Sequence, residues 1–207
     1  MENDVRFPLL SVSRLRMETD GQGVTTLIGG AGCPLRCHWC INQKPLAEGK
    51  VTCVTPAELY DKVKIDDLYF QATGGGVTFG GGEALLHGEF IREFRKICGK
   101  RWRVCVETSL HVPRNLVELA ARVADEFIVD IKDLNPEIYR RYTGGDVSLV
   151  ADNLRFLLET AGADRVMVRV PLIPDFNTEE DRQASMKQLA AMGVTRFDCF
   201  SYITPMR

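Results

Sequence analysis

A chain of 207 residues is long enough for one domain with its own core and short for two. Its 45% hydrophobic and 26% charged content is that of a globular protein, and a net charge of −2 gives no electrostatic ground for a nucleic-acid partner. No apolar run approaches the roughly 18 residues of a membrane span, and Met1-Glu2-Asn3-Asp4 does not open a signal peptide, so no membrane association is expected and the seven cysteines point to a reducing compartment, the cytoplasm.

The first strand expected is Val24-Thr25-Thr26-Leu27-Ile28, β-branched and bounded by glycines. It runs directly into Gly32-Cys33-Pro34-Leu35-Arg36-Cys37-His38-Trp39-Cys40, a C-x3-C-x2-C spacing with no fourth cysteine near. Three thiols so close can surround one small object. A cuboidal iron–sulfur cluster takes one thiolate per iron, which leaves one iron open for chemistry. A structural zinc would need His38 as fourth ligand, although His38 adjoins Cys37 and zinc pairs are normally spaced by two residues or more. Three buried structural thiols are the third reading, and the spacing favours the cluster.

Thr55-Pro56-Ala57-Glu58 is a capping box that opens a helix to about Lys64. A second strand, Gly76-Val77-Thr78-Phe79, lies between glycine triplets. Phe90 to Cys98 has apolar residues (Phe90, Ile91, Phe94, Ile97) at helical spacing. Strands are then expected at 103–108, 126–132, 165–171 and 196–202, with helices at 115–124, 150–160 and 179–192. Six strand–helix alternations predict an α/β fold, a single-domain partial (β/α)6 half-barrel with a mostly parallel sheet over residues 1–207; a doubly wound sheet is also allowed. Either way ligands gather at the C-terminal ends of the strands.

Those ends carry the remaining candidates. Gly80-Gly81-Gly82-Glu83 lets backbone approach a ligand closely or simply makes a tight turn, and no Gly-Lys-Ser/Thr follows to make it a phosphate loop. Glu107, Thr108 and Ser109 end the third strand; Asp130, Lys132 and Asp133 end the fourth. Two carboxylates on adjacent strands can share a cation or a ligand amine, or Lys132 can pair with one at the rim. Arg169, among valines, needs a carboxylate partner. Cys53, Cys98, Cys105 and Cys199 are expected as core thiols, and His87 and His111 have no assigned role.

Taken together, Cys33-x3-Cys37-x2-Cys40 with Trp39 before the last cysteine, and Gly81-Gly82-Glu83 after the second strand, resemble the signature of radical S-adenosylmethionine (SAM) enzymes. Asp20-Gly21-x-Gly23, Gly32, Asn42, Gly74 to Thr78, Glu107-Thr108, Asp130-x-Lys132 and Arg169 are similar to the activating enzymes of glycyl radical enzymes, of the pyruvate formate-lyase type. The likeness spans about residues 20 to 202. It implies a [4Fe–4S] cluster on Cys33, Cys37 and Cys40, with SAM chelating the fourth iron. Trp39, Gly81, Gly82, Glu83, Asp130, Lys132 and Arg169 would hold the cofactor, the Gly-Gly-Glu residues receiving its amino group. Glu107-Thr108 with Asp130 would form a monovalent cation site.

The same resemblance implies reductive cleavage of SAM to a 5′-deoxyadenosyl radical, which removes hydrogen from a glycine Cα of a partner glycyl radical enzyme docked near Asp20-Gly21. A flavodoxin- or ferredoxin-type electron donor and a monomeric state are expected. The sequence departs from the family in an additional glycine before Glu83, in Val24-Thr25 where an arginine is usual, in Ile203 where a histidine is usual, and in an early end after the last strand. No block of eight cysteines marks an extra ferredoxin-like insert. Two other functions fit the residues: a radical SAM enzyme acting on another peptide or small molecule, and a non-catalytic zinc-binding α/β module.

Overall fold

The computed structural model describes residues 5–17 and 19–203; residues 1–4, read above for a leader, lie outside that range. All six expected strands form, as β2 (Val24–Gly30), β4 (Gly76–Gly81), β5 (Arg103–Thr108), β6 (Glu126–Asp130), β7 (Val166–Leu172) and β8 (Arg196–Ser201), each parallel to its neighbour. Two more strands enlarge the sheet. β1 (Phe7–Met17) pairs antiparallel with β2, and β3 (Thr52–Val54) antiparallel with β1. The order is β3-β1-β2-β4-β5-β6-β7-β8, an open sheet of eight strands with a parallel core.

The long connections are helical, as parallel pairing requires. They are α2 (Pro56–Val63), α4 (Gly88–Cys98), α5 (Arg114–Val123), α7 (Val147–Ala161) and α8 (Glu179–Ala191), with the shorter α1 (Gln43–Glu48), α3 (Asp67–Thr73) and α6 (Pro136–Thr143). The Thr55–Glu58 capping box is present, and Asn135 caps α6 by accepting from the backbone of Glu137 and Ile138.

Side chains alternate along a strand, and the two faces of this sheet divide accordingly. Val77, Phe79, Val104, Val106, Phe127, Val129 and Val168 are all buried against the helical layer. Phe79, for example, meets Phe94 of α4 edge-on at 5.5 Å between ring centroids. Each such side chain contributes on the order of 1.5–3 kcal/mol by its burial. The intervening positions, Thr78 and Gly80, Cys105 and Glu107, Asp130, Arg169 and Asp198, form the opposite, polar face.

Two expectations are corrected. Ile97 is 43% exposed, and Cys98 takes the buried position one residue on. Cys98 and Cys105 are buried thiols, but Cys53 and Cys199 are exposed, because β3 and β8 are the sheet's two edges.

Candidate active site

The cysteine loop leaves the C-terminal end of β2 and is held on two sides. On the sheet side, the Gly82 N–H donates to Gly30 O at 2.9 Å, the Glu83 N–H to Gly32 O at 2.7 Å, and the Asn42 side chain to Gly81 O at 2.7 Å. On the other side the Arg36 N–H donates to Thr143 O at 2.9 Å and the His38 N–H to Tyr142 O at 3.0 Å, both at the end of α6. Glycine is required where loop and strand end meet. A Cβ on Gly82 would stand 2.2 Å from Gly32 O, and Gly81 has φ +89°. The close approach expected of these glycines is therefore to the cysteine loop itself.

Cys33 is exposed, Cys37 and Cys40 half-buried, and all three are free thiols. Burial pushes the Cys37 thiol up to about 11, with Cys33 and Cys40 adding to the rise against Lys132. Burial also raises Cys33, which feels Cys40 as well. The three sulfurs thus share one electrostatic neighbourhood. Among the described residues no three His, Cys, Asp or Glu side chains are set around a single metal ion. A four-iron cluster instead spreads its thiolates over separate irons. His38, the fourth ligand a zinc would need, packs its ring on Trp39 and Phe176 at 4.7 and 5.1 Å between centroids. Trp39 Nε1 is buried with no hydrogen-bond partner among the described residues. Three clustered thiols in one loop beside an orphaned donor fit an iron–sulfur group, whose sulfurs are acceptors.

Glu83 lies beneath the loop and is fully engaged. Its Oε1 accepts from Thr108 Oγ1 at 2.6 Å and the Leu85 N–H at 3.2 Å; its Oε2 accepts from the Ser109 hydroxyl at 2.5 Å and the Ser109 N–H at 2.9 Å. Burial raises its pKa against those bonds. Four donors fill a carboxylate's usual acceptor capacity. Ser109, not assigned a site role from sequence, is half of this arrangement, and its only signal was its place after Glu107-Thr108.

Glu107 and Thr108 point to opposite faces of β5, as neighbours on a strand must. While Thr108 meets Glu83, Glu107 accepts from Arg169 Nη1 at 2.8 Å on the polar face. Arg169 also bonds Asp198 at 3.3 Å, approaches Asp20 at 3.7 Å and donates to the carbonyl of Thr19. Burial pushes the Glu107 carboxyl up to about 7; Arg169 opposes this, while Asp130 and Asp20 add to it. Next to them Lys132 Nζ lies 3.3 Å from Asp130 and donates to the Tyr202 hydroxyl at 2.9 Å. Burial lowers the Lys132 pKa, but Asp130 and Tyr202 outweigh it and the ammonium is held above its ordinary range.

Asp20 and Gly21 occupy the turn between β1 and β2. Asp20 is buried, its carboxylate taken by Arg16 and its carbonyl by the Thr78 hydroxyl, while Gly21 lies against Cys105. Ile203, at the position where the family has histidine, is fully exposed. The strand-end residues named from sequence thus converge in two groups: the loop with Gly81–Glu83, and Arg169 with the carboxylates.

Residues 27–189 match the radical SAM superfamily. The chain belongs to that superfamily. A pyruvate formate-lyase-activating enzyme of Clostridium pasteurianum is 32% identical over 174 residues, covering 83% of this chain and 70% of the relative. Pyruvate formate-lyase 2-activating enzyme of Escherichia coli is 29% identical, covering 84% and 70%. The (2S)-3-sulfopropanediol dehydratase activating enzyme of Klebsiella oxytoca is 28% identical, covering 77% and 69%.

Among solved structures, Streptococcus suis SuiB shares the fold at a TM-score of 0.65 with 13% identity, covering 86% of this chain and 40% of its own. The enzyme anSMEcpe with bound AdoMet superposes at 0.60 with 17% identity, covering 84% and 50%. The chain spans half or less of these structures. It is a radical SAM enzyme of the activating-enzyme type, and membership implies a [4Fe–4S] cluster and SAM. Among the described residues no helix is long and apolar enough to cross a membrane.

Proposed function

We propose that this radical SAM enzyme generates a glycyl radical on a partner enzyme of the pyruvate formate-lyase type. The observation that carries the reading is the 32% identity to a pyruvate formate-lyase-activating enzyme across 70% of that relative. Cys33, Cys37 and Cys40 would each hold one iron. When bound, the cluster and SAM supply an electron and a 5′-deoxyadenosyl radical able to take the hydrogen from a glycine Cα.

The chain's own residues hold and orient. Because Glu83 is saturated, the cofactor's amino group falls to the backbone carbonyls of the Gly81–Gly82 segment, which Glu83 keeps in place. Lys132 and Arg169 offer cations to its carboxylate and hydroxyls, with Asp130 between them, and Trp39 closes the loop side against water. Asp20, Glu107, Asp130 and Asp198 face two guanidiniums, Arg16 and Arg169, and the Lys132 ammonium, and the one negative charge left over supports the monovalent cation site expected of Glu107-Thr108 and Asp130. The partner's glycine loop is assigned to the Asp20–Gly21 turn, which Arg169 links to the site. A flavodoxin- or ferredoxin-type electron donor, a monomeric state and the cytoplasm belong to the same reading.

The test is anaerobic. Protein reconstituted with iron and sulfide, reduced and given SAM should release 5′-deoxyadenosine, and should raise a glycyl radical signal on an added glycyl radical enzyme. Cleavage with no radical on any such enzyme moves the function to another peptide or small molecule. A colourless, zinc-loaded protein without cleavage removes the reading.

A further inference from the structure

Three successive carbonyls lead into Cys33, and all three are held by the segment that follows β4. Gly30 O accepts from the Gly82 N–H at 2.9 Å and Gly32 O from the Glu83 N–H at 2.7 Å. Ala31 O, between them, accepts from Nε2 of the His87 ring at 2.7 Å. The outer two bonds come from backbone and the middle one from a side chain.

The reason a side chain is used lies across the sheet. Leu9 pairs with Gly30, so Pro8 stands opposite Ala31, and the Ala31 N–H donates to Pro8 O at 2.9 Å. In an antiparallel ladder two residues paired in this way exchange both bonds. Proline has no N–H to give back. The Ala31 carbonyl is therefore left without its ladder donor two residues before the first cysteine, and His87 stands in for the missing N–H. Its ring is set edge-on against Phe7, with 4.9 Å between centroids and 70° between planes. Burial lowers the His87 pKa, against the bond to Ala31. A carbonyl only accepts, so the one proton of the neutral ring sits on Nε2.

We propose that His87 is a positioning residue: by holding the Ala31 carbonyl it fixes Cys33 relative to Gly81–Gly82, and so sets how tightly SAM binds between them. The inference rests on the functional reading above, in which Cys33 carries an iron and the Gly81–Gly82 carbonyls take the cofactor's amino group. His87 acts through the backbone of residues 31–33, as outer partners that orient metal ligands do.

The test compares wild type, His87→Leu and His87→Gln. In the metal-free wild type, nitrogen NMR of the His87 ring should show the proton on Nε2 at neutral pH, and a proton on Nδ1 overturns the proposal. Each protein is then reconstituted anaerobically, its iron and sulfide are measured, and SAM is titrated at equilibrium onto the oxidised cluster. With a full cluster, His87→Leu is expected to bind SAM about three- to tenfold more weakly, the worth of one hydrogen bond. His87→Gln, whose amide offers an N–H in the place of Nε2, should recover most of that loss. Equal affinity of His87→Leu and wild type, even with a lower melting midpoint, means that His87 serves stability alone; it overturns the proposal and leaves the functional reading standing. A wild type that takes up no cluster or binds no SAM overturns both. If His87→Leu holds no cluster, Pro8→Ala is added to it. The new N–H faces Ala31 O and should restore cluster uptake and SAM binding, and no restoration overturns the proposal.

Discussion

Asn42 reaches from just beyond the third cysteine to the end of β4 and donates its side-chain amide to the carbonyl of Gly81 at 2.7 Å. The bond joins the segment that would carry the irons to the segment that would carry the cofactor's amino group, two pieces of chain 39 residues apart. It also sets Asn42 as the residue from which α1 starts.

Asn42→Ala should loosen that junction without unfolding the protein. A net hydrogen bond is worth about 1 kcal/mol, which corresponds to a fall of about 2–4 °C in the melting midpoint at this size. Amide exchange over residues 33–42 should accelerate relative to the helical face. An unchanged exchange pattern would show that the cysteine loop is held by its backbone bonds alone.

Glu83→Gln replaces one acceptor oxygen with a donor that would face donors. It should destabilise the fold by about 1–3 kcal/mol in urea unfolding, the cost of leaving buried partners unmatched. Ser109→Ala, which removes one of the four bonds, should cost about 1 kcal/mol. Equal stability of Glu83→Gln and wild type would mean that the carboxylate has spare capacity in solution.

Glu107 should leave a mark in the pH dependence of stability. Its folded pKa is raised to about 7 from an ordinary 4.5, chiefly by burial. A raised carboxyl pKa means that the folded state holds the proton more tightly than the unfolded one. Its stabilising contribution is complete below about pH 4.5 and is lost as pH rises through about 7. Subtracting the unfolding free energy of Glu107→Gln from that of wild type should give a difference that falls across this window. A flat difference would place the Glu107 carboxylate at its ordinary pKa, fully compensated by Arg169.

Cys37→Ala should abolish both the brown iron–sulfur absorbance and the release of 5′-deoxyadenosine, while far-ultraviolet circular dichroism stays that of the wild type. Cleavage at the wild-type rate in this variant would sink the mechanism.

Much of this arrangement could be read from sequence because its physical causes are local. β2, β4, β5 and β6 are short β-branched runs bounded by glycine or charge, β7 is one that runs into Pro174, and α2 announces itself by its capping box. β1 does not. Its pairing with β2 slips twice, between Leu9 and Ser11 and between Ser13 and Arg16, and Leu15 has φ 56°, so no simple alternation survives in Ser11 to Met17. α6 was legible in principle from Asn135-Pro136, but nothing local marks the carbonyls of Tyr142 and Thr143 as the ones that hold the cysteine loop. The saturation of Glu83 is equally non-local, since Thr108 and Ser109 come from the next strand. Sequence patterns identify which residues stand at strand ends; the partners each one has already acquired depend on the assembled sheet.

The two-sided anchoring of the cysteine loop has a consequence for how the protein matures. Cys40 leaves the ribosome roughly a hundred residues before Thr143, whose carbonyl fixes Arg36. Until that later stretch is made and docked, the three thiols hang on a nascent chain with half of their frame missing. If these thiols hold the irons, delivery would come late, after most of the sheet is in place, and the interval before it would be when the thiols are most open to oxygen. Faster docking of α6 would shorten that exposure, so the tempo of synthesis beyond Asp130 bears on the yield of active protein.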